Sequence, residues 1–208
     1  MPGVTIEFRK LGKRFGNRTA LAAVSGTVRP GEVLVVAGPN GAGKSTLLNL
    51  LAGVLRPSRG EVTHRLDENP VPRGRWFEHL GVAAPDMAVY EELSALENLR
   101  FFARLRGRRP ADGALAELLE RLGLPAREHA RTVGTYSSGM KQRVKLAQAV
   151  LHDPEVLLLD EPSSNLDAAG HEAVSALVAR SRATAAVAVA TNDPREMTWA
   201  DARIDLVL

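Results

Sequence analysis

The sequence predicts an α/β architecture. It has a mainly parallel sheet covered by helices, an antiparallel β subdomain at the N terminus, and a helical lobe inserted between strands. Three observations predict it. Short unbroken apolar runs at 33–37, 156–159 and 185–190 have the make-up of strands buried on both faces. Helix-patterned segments alternate with these runs, which implies parallel strands joined by crossover helices. In the middle, two helix-patterned segments follow one another with no strand between them, and these form the inserted lobe.

Taken in order, residues 4–8 alternate like a half-buried strand, Gly16 and Asn17 make a turn, and 21–28 reads as a second strand. Arg29-Pro30-Gly31-Glu32 is turn chemistry leading into the 33–37 strand. A glycine-rich stretch follows, then Leu47, Leu48, Leu50 and Leu51 mark a helix that stops near Gly53. Helices are expected at 96–105 and at 112–122. In the second, Asp112 is the N-cap, Leu115, Leu118, Leu119 and Leu122 share a face, and Gly123 is the stop. Another helix follows Tyr136-Ser-Ser-Gly-Met140. Strand 156–159, helix 168–182, strand 185–190 and a terminal strand at 204–208 complete the pattern. At 208 residues the chain fits one domain, with the core at about 1–80 and 153–208 and the lobe at about 86–152.

Composition excludes several classes. The net charge of +3 is mild, and no basic stripe is interleaved with aromatics, so no nucleic-acid partner is expected. The clusters at 104–109 and at Arg73 and Arg75 read as solvated surface rather than as an anion site. Without cysteine there are no disulfides and no thiolate metal sites, which suits a reducing compartment. No signal-peptide pattern and no apolar run of about 20 residues is present, so no membrane span is expected.

The chemistry begins at Gly38-Pro39-Asn40-Gly41-Ala42-Gly43-Lys44-Ser45-Thr46. This satisfies G-x-x-x-x-G-K-[ST] between a buried strand and a helix, the context in which such a loop cradles phosphates. It makes the core a P-loop NTPase core. Lys44 is placed for the β- and γ-phosphates and Ser45 for Mg²⁺, with backbone N–H groups for the remaining oxygens. Asp160, ending an apolar strand, supplies the carboxylate that holds the metal. Glu161 beside it is the general base, or the group that orients the attacking water. A second seat for an anion is offered by Ser137, Ser138 and Gly139 at the start of a helix.

Together, the 38–46 loop, the Tyr136–Met140 turn, Leu157-Leu-Leu-Asp-Glu-Pro162 and Ser164-Asn-Leu-Asp167 resemble the nucleotide-binding subunit of an ATP-binding cassette (ABC) transporter over nearly the whole chain. The resemblance implies a motor that binds and hydrolyses ATP with Mg²⁺. Two subunits, identical or different, pair head to tail, and Ser137, Ser138 and Gly139 of one close over the γ-phosphate held by the other. Phe15 matches the aromatic that stacks on adenine, with a core-packing phenylalanine as the competing reading. Asp167 matches a carboxylate that communicates between the two sites. A separate integral membrane permease would dock at 86–102, through Met87, Val89, Tyr90 and Leu93. The chain would then lie in the cytoplasm on the inner face of the cell membrane. Two departures stand out. The family's glutamine aligns with Pro85, leaving Asp86 as a substitute oxygen ligand for the metal, and its histidine is Asn192, whose amide donates but carries no charge. Asn192 is therefore counted with Lys44 and Glu161 as a catalytic residue, and hydrolysis is expected to be slow. The style of the signature is that of exporters, and the short length is similar to haem-exporter cassettes. The alternative is a cassette ATPase working in DNA repair, translation or cluster assembly.

Overall fold

The computed structural model describes residues 3–207. Strands β1 (Val4–Phe15) and β2 (Arg18–Val28) form the expected N-terminal hairpin. Both run longer than their apolar alternation suggests, because β1 is irregular in register between Phe8 and Arg14 and so pairs beyond the point where periodicity fails. β3 (Val33–Ala37) is buried at every position and leads into α1 (Lys44–Leu51). The segment after Gly53, for which periodicity predicts nothing, folds into β4 (Arg59–Leu66), β5 (Asn69–Val71), a single turn α2 (Trp76–His79) and β6 (Leu80–Ala83). β4 is Arg-Gly-Glu-Val-Thr-His-Arg-Leu, a mostly polar strand with a single fully buried side chain, His64. β6 has only four residues. Neither length nor pattern announces them.

The lobe contains α3 (Ala95–Leu105), α4 (Asp112–Arg121) and α5 (Ser138–Val150). Ser94 and Glu97 close a capping box on α3. Asp112 is not the N-cap of α4. Ala111 holds that position without a side-chain cap, and Asp112 is the first helical residue. There its carboxylate favours the helix dipole and accepts hydrogen bonds from Arg100 at 2.9 and 3.2 Å. The core resumes with β7 (Val156–Asp160), α6 (Ala168–Ser181), β8 (Ala186–Thr191), a short α7 (Pro194–Met197) and β9 (Ala202–Asp205). The last strand lies two residues earlier than 204–208, with Leu206 still donating to Ala37, and Leu208 lies outside the described residues.

Two sheets result. One is antiparallel in the order β2-β1-β4-β5, and the other is parallel in the order β6-β7-β8-β3-β9. Alternation along β3 explains why the parallel sheet is buried on both sides. Val33, Val35 and Ala37 face the lobe helices and α6, while Leu34 and Val36 face α1 and the antiparallel sheet, meeting Ile6, Phe8, Leu47 and Leu50. No helix among the described residues is long and apolar enough to cross a membrane.

Two buried histidines make this packing pH-dependent. His64 lies flat on Trp76, with ring centroids 3.8 Å apart, and its Nε2 reaches the Leu51 carbonyl at 2.8 Å. His152 Nε2 reaches the Leu80 carbonyl at 3.0 Å. Burial lowers each imidazole to about 4 from 6.5. Between those two values the unfolded chain binds protons that the native state refuses, so stability is full above about pH 6.5 and falls as the pH drops toward 4. Urea unfolding at pH 7.5 and pH 5 should show a loss of about 2 kcal/mol per histidine. His64→Gln, which can still donate to Leu51, should remove close to half of that loss.

Candidate functional site

The parallel register decides what meets what. Ala37 pairs with Thr191, and Asp160 pairs with Ala190. The chain segments that leave these three strands, at Gly38, Glu161 and Asn192, therefore emerge side by side at the carboxyl edge of the sheet, where open α/β sheets bind ligands.

The loop from Gly38 to Gly43 has positive φ at three glycines, Gly38, Gly41 and Gly43, and close approach of other backbone also demands glycine at the first and last. Gly38 has φ +153° and presses against the Leu206 carbonyl, where a Cβ would stand 2.5 Å away. Gly43, at φ +97°, comes within 2.3 Å of the Ala20 carbonyl by the same measure, which packs the loop against β2. Gly43 is also the N-cap of α1, with no side-chain cap and no acid in the first turn, so the helix's positive end is left for an external anion. Pro39, Asn40, Gly41 and Ala42 complete the turn, with Ala42 N–H donating to the Pro39 carbonyl.

Lys44 curls back over this loop. Its Nζ donates to the Gly38 and Pro39 carbonyls at 2.8 and 3.3 Å and pairs with Glu161 Oε1 at 3.2 Å. The ammonium is nearly buried and thereby held at the centre of the cradle. Asp160, at the end of β7, is 4% exposed, and its Oδ1 has no partner among the described residues. Burial raises its carboxyl above the usual range; the Ser45 hydroxyl pulls the other way, while the Glu161 and Asp86 charges add to the rise. An orphaned buried carboxylate oxygen beside a hydroxyl is the donor chemistry that suits a hard divalent cation, so Ser45 and Asp160 fit Mg²⁺. Asp86 is exposed on the connection into the lobe, close enough for its charge to act on Asp160 and on Lys145.

Glu161 takes a left-handed backbone, φ +47°, with its N–H bonded to the Ala190 carbonyl at 2.8 Å. A non-glycine residue in that region stores strain that the surroundings must hold, and here it aims the carboxylate at Lys44. From the end of β8, the Asn192 amide donates to Asn40 Oδ1 at 3.0 Å, a direct contact with the phosphate loop. Thr46 continues α1 behind the loop. Phe15 is 48% exposed at the end of β1, with Lys13 Nζ 5.1 Å from its ring centre. It is not a core side chain, and the competing packing reading is set aside.

The other seat lies apart. Ser137 caps α5 and accepts from Met140 N–H at 3.2 Å, so the N–H groups of Ser138 and Gly139 are left without helical acceptors. α5 packs on β6, α3 and α4, whereas α1 packs on β7, β8 and the N-terminal hairpin. What joins the two seats is the loop after Glu161. Gln142 Nε2 donates to the Pro162 carbonyl at 2.9 Å, Arg143 Nη2 to Asp167 at 2.8 Å, and Asp167 caps α6. Glu196, 1% exposed, accepts from Ser163 N–H at 3.1 Å, and burial raises its carboxyl above the usual range. Sequence reasoning missed Gln142, Arg143 and Glu196. Gln142 and Arg143 lie on the helix expected after Met140, and Glu196 on α7, which has no counterpart in the sequence reading. Of the side chains expected to face a permease, Tyr90 is 47% exposed and edges against Phe101, while Met87, Val89 and Leu93 are half-buried.

Comparison with known proteins gives one consistent result. The family model described as "ABC transporter" matches residues 21–164. The uncharacterized ABC transporter ATP-binding protein YdbJ of Bacillus subtilis is 39% identical over 160 residues, 77% of this chain and 51% of its own. The daunorubicin resistance ATP-binding protein DrrA3 of Streptomyces coeruleorubidus is 40% identical over 166 residues, 78% of this chain and 52% of its own. The chain thus spans about half the length of the curated relatives it matches. Among solved structures, a dimeric bacterial ABC transporter cassette superposes with a TM-score of 0.86 at 24% identity, over 97% of this chain and 94% of that one, which establishes the shared fold.

Gly139 offers a test of how the second seat is fixed. A Cβ there would lie 2.7 Å from the Asn165 carbonyl. Gly139→Ala should cost about 1–3 kcal/mol in urea unfolding, the usual cost of overpacking. Binding of a fluorescent ATP analogue to the isolated chain should be unchanged, since the phosphate loop is untouched.

Proposed function

The chain belongs to the ABC transporter family as an ATP-binding cassette, and from that membership we propose that it is the ATP-hydrolysing motor of an exporter, working as a head-to-tail dimer beneath a separate membrane permease. The observation that carries this reading is the pairing of an incomplete phosphate cradle with a distant open helix end on the same chain. Two copies set head to tail give each cradle the N–H groups of Ser138 and Gly139 that its own chain keeps elsewhere. Export is supported by the names of relatives such as the daunorubicin resistance protein. Exposed Tyr90 and Phe101, next to the connection at Asp86, suit helices of a permease that lies on the inner face of the cell membrane.

In this reading the chain's own groups divide the work. Gly41 to Thr46 hold the triphosphate by backbone N–H groups, and Phe15 stacks on the base. Lys44 exchanges its ion pair with Glu161 for the phosphate oxygens, which frees the carboxylate to orient and deprotonate the attacking water. Ser45 and Asp160 hold Mg²⁺, with Asp86 as a further oxygen near them. When bound, the ion neutralises charge that builds on the phosphate oxygens. Asn192, anchored on Asn40, donates a neutral hydrogen bond toward the γ-phosphate in place of a charge-assisted one.

Two measurements test this. Glu161→Gln keeps the shape of the side chain and removes the base. With ATP and Mg²⁺ it should accumulate as a dimer in size-exclusion chromatography. A monomer with every candidate mate present would refute the pairing. Separately, Asn192→His should raise steady-state hydrolysis about tenfold or more if a charged donor contributes a few kcal/mol to the transition state. An unchanged rate would show that Asn192 does not limit turnover.

A further inference from the structure

A sizeable cavity lies away from the phosphate loop. A cleft of about 680 Å³ opens between α4, the C-terminal end of α5 and α6. Its floor is apolar, made by Leu115, Leu118, Leu122, Leu151 and Leu177, and Arg121 and Arg180 stand at its rim. At one end it shares Arg108, Arg109 and Pro110 with a second hollow of about 610 Å³, whose remaining lining is Arg100, Arg104 and Asp112. One end is therefore cationic and the other oily. The volume of the cleft is in the range of small-molecule sites.

The charges at the cationic end do not cancel. Arg100 is answered by Asp112 at 2.9 Å, and Arg108 by Asp153 at 3.5 Å. Arg104 and Arg109 have no carboxylate partner among the described residues. Four guanidinium groups against two carboxylates leave two positive charges around one hollow. A dianionic head neutralises them, and a phosphate's oxygens match the guanidinium fork in pairs. Leucines beside this hollow, on a surface where two helices fail to close, gain by being covered with hydrocarbon.

We propose that these adjoining hollows bind a single-chain amphiphile with a phosphate-type dianionic head, the head among Arg104, Arg108 and Arg109 and the chain along the leucines between α4 and α6. The site lies apart from the nucleotide seat and shares no residue with it, so it stands whether or not the exporter reading does.

Monomeric dodecyl phosphate, kept below its micelle concentration and titrated calorimetrically into the whole chain, tests this. Saturable one-to-one binding is expected, with inorganic phosphate and dodecanol each binding at least about tenfold more weakly because each supplies half of the contact. The double substitution R104Q/R109Q should weaken dodecyl phosphate by about tenfold or more. Ala176→Trp, on exposed backbone of α6 at the cleft, should do the same by filling the chain's path, with circular dichroism confirming the fold of both variants. The proposal is overturned by any of three results. These are inorganic phosphate binding as tightly as the amphiphile, binding indifferent to both variants, and binding to vesicles containing anionic phospholipid with the monomeric amphiphile ignored.

Discussion

The hydrogen-bonded register of β3, β7 and β8 is the constraint on which the rest of the molecule depends. With Ala37 opposite Thr191 and Asp160 opposite Ala190, the three exits from the sheet are level. Lys44 reaches Glu161, and Asn192 reaches Asn40, only because of that alignment. A slip of one residue along β8 would turn every side chain of that strand to the opposite face. It would drive Val187 and Val189 from the lobe side into the α1 side, where only the small Ala186, Ala188 and Ala190 now fit. Specificity of register is in turn secured by burial on both faces, since each of these strands alternates between the α1 side and the lobe side with no polar face to tolerate error.

That rigid frame carries three features that cost stability. Lys44 is buried, Asp160 is buried with one oxygen unpartnered, and Glu161 occupies a left-handed backbone. Each is compensated only in part by the others. The Lys44–Glu161 pair offsets some desolvation but leaves Asp160 raised above the usual carboxylate range, where Ser45 alone does not restore it. Such a set is poised for added charge of both signs. A polyanion at Lys44 and a hard cation at Asp160 relieve opposite deficits, which is the electrostatic logic of a triphosphate bound with a divalent metal.

The parts legible in the sequence were those whose physics is local. The runs at 33–37 and 156–159 are unbroken and apolar because both faces are covered, and the phosphate loop is a contiguous string whose glycines are demanded by its own turn. β4 was not legible, since its place in the sheet comes from pairing with β1 across some fifty residues of chain, and its side chains are mostly half-exposed or exposed. Asp112 looked like a cap because aspartate usually is one. The structure instead uses its charge against Arg100, a partner that periodicity does not locate. The left-handed turn at Glu161 had no sequence signal at all, because nothing in Asp-Glu-Pro forbids an extended exit. It is fixed by the N–H of Glu161 bonding to Ala190 on a strand reached only after folding.

The same distinction bears on how two seats on one chain relate. The tip at Ser138 and Gly139 is not free to move by itself. Gly139 abuts the Asn165 carbonyl, Gln142 holds Pro162, and Arg143 holds Asp167, whose carboxyl it keeps below the usual range. All three contacts fall on the segment that begins one residue after Glu161, and Glu196 grips that segment from the other side through Ser163. The contacts of the α5 tip therefore converge on the backbone that directly follows the strained Glu161. If the tip closes over a partner's phosphate as proposed, the force it meets there is delivered to the base of its own site. The two composite sites of a dimer are then linked through packed backbone and not through solvent. This linkage is a property of one chain's contacts, and it needs the second copy only to supply the load.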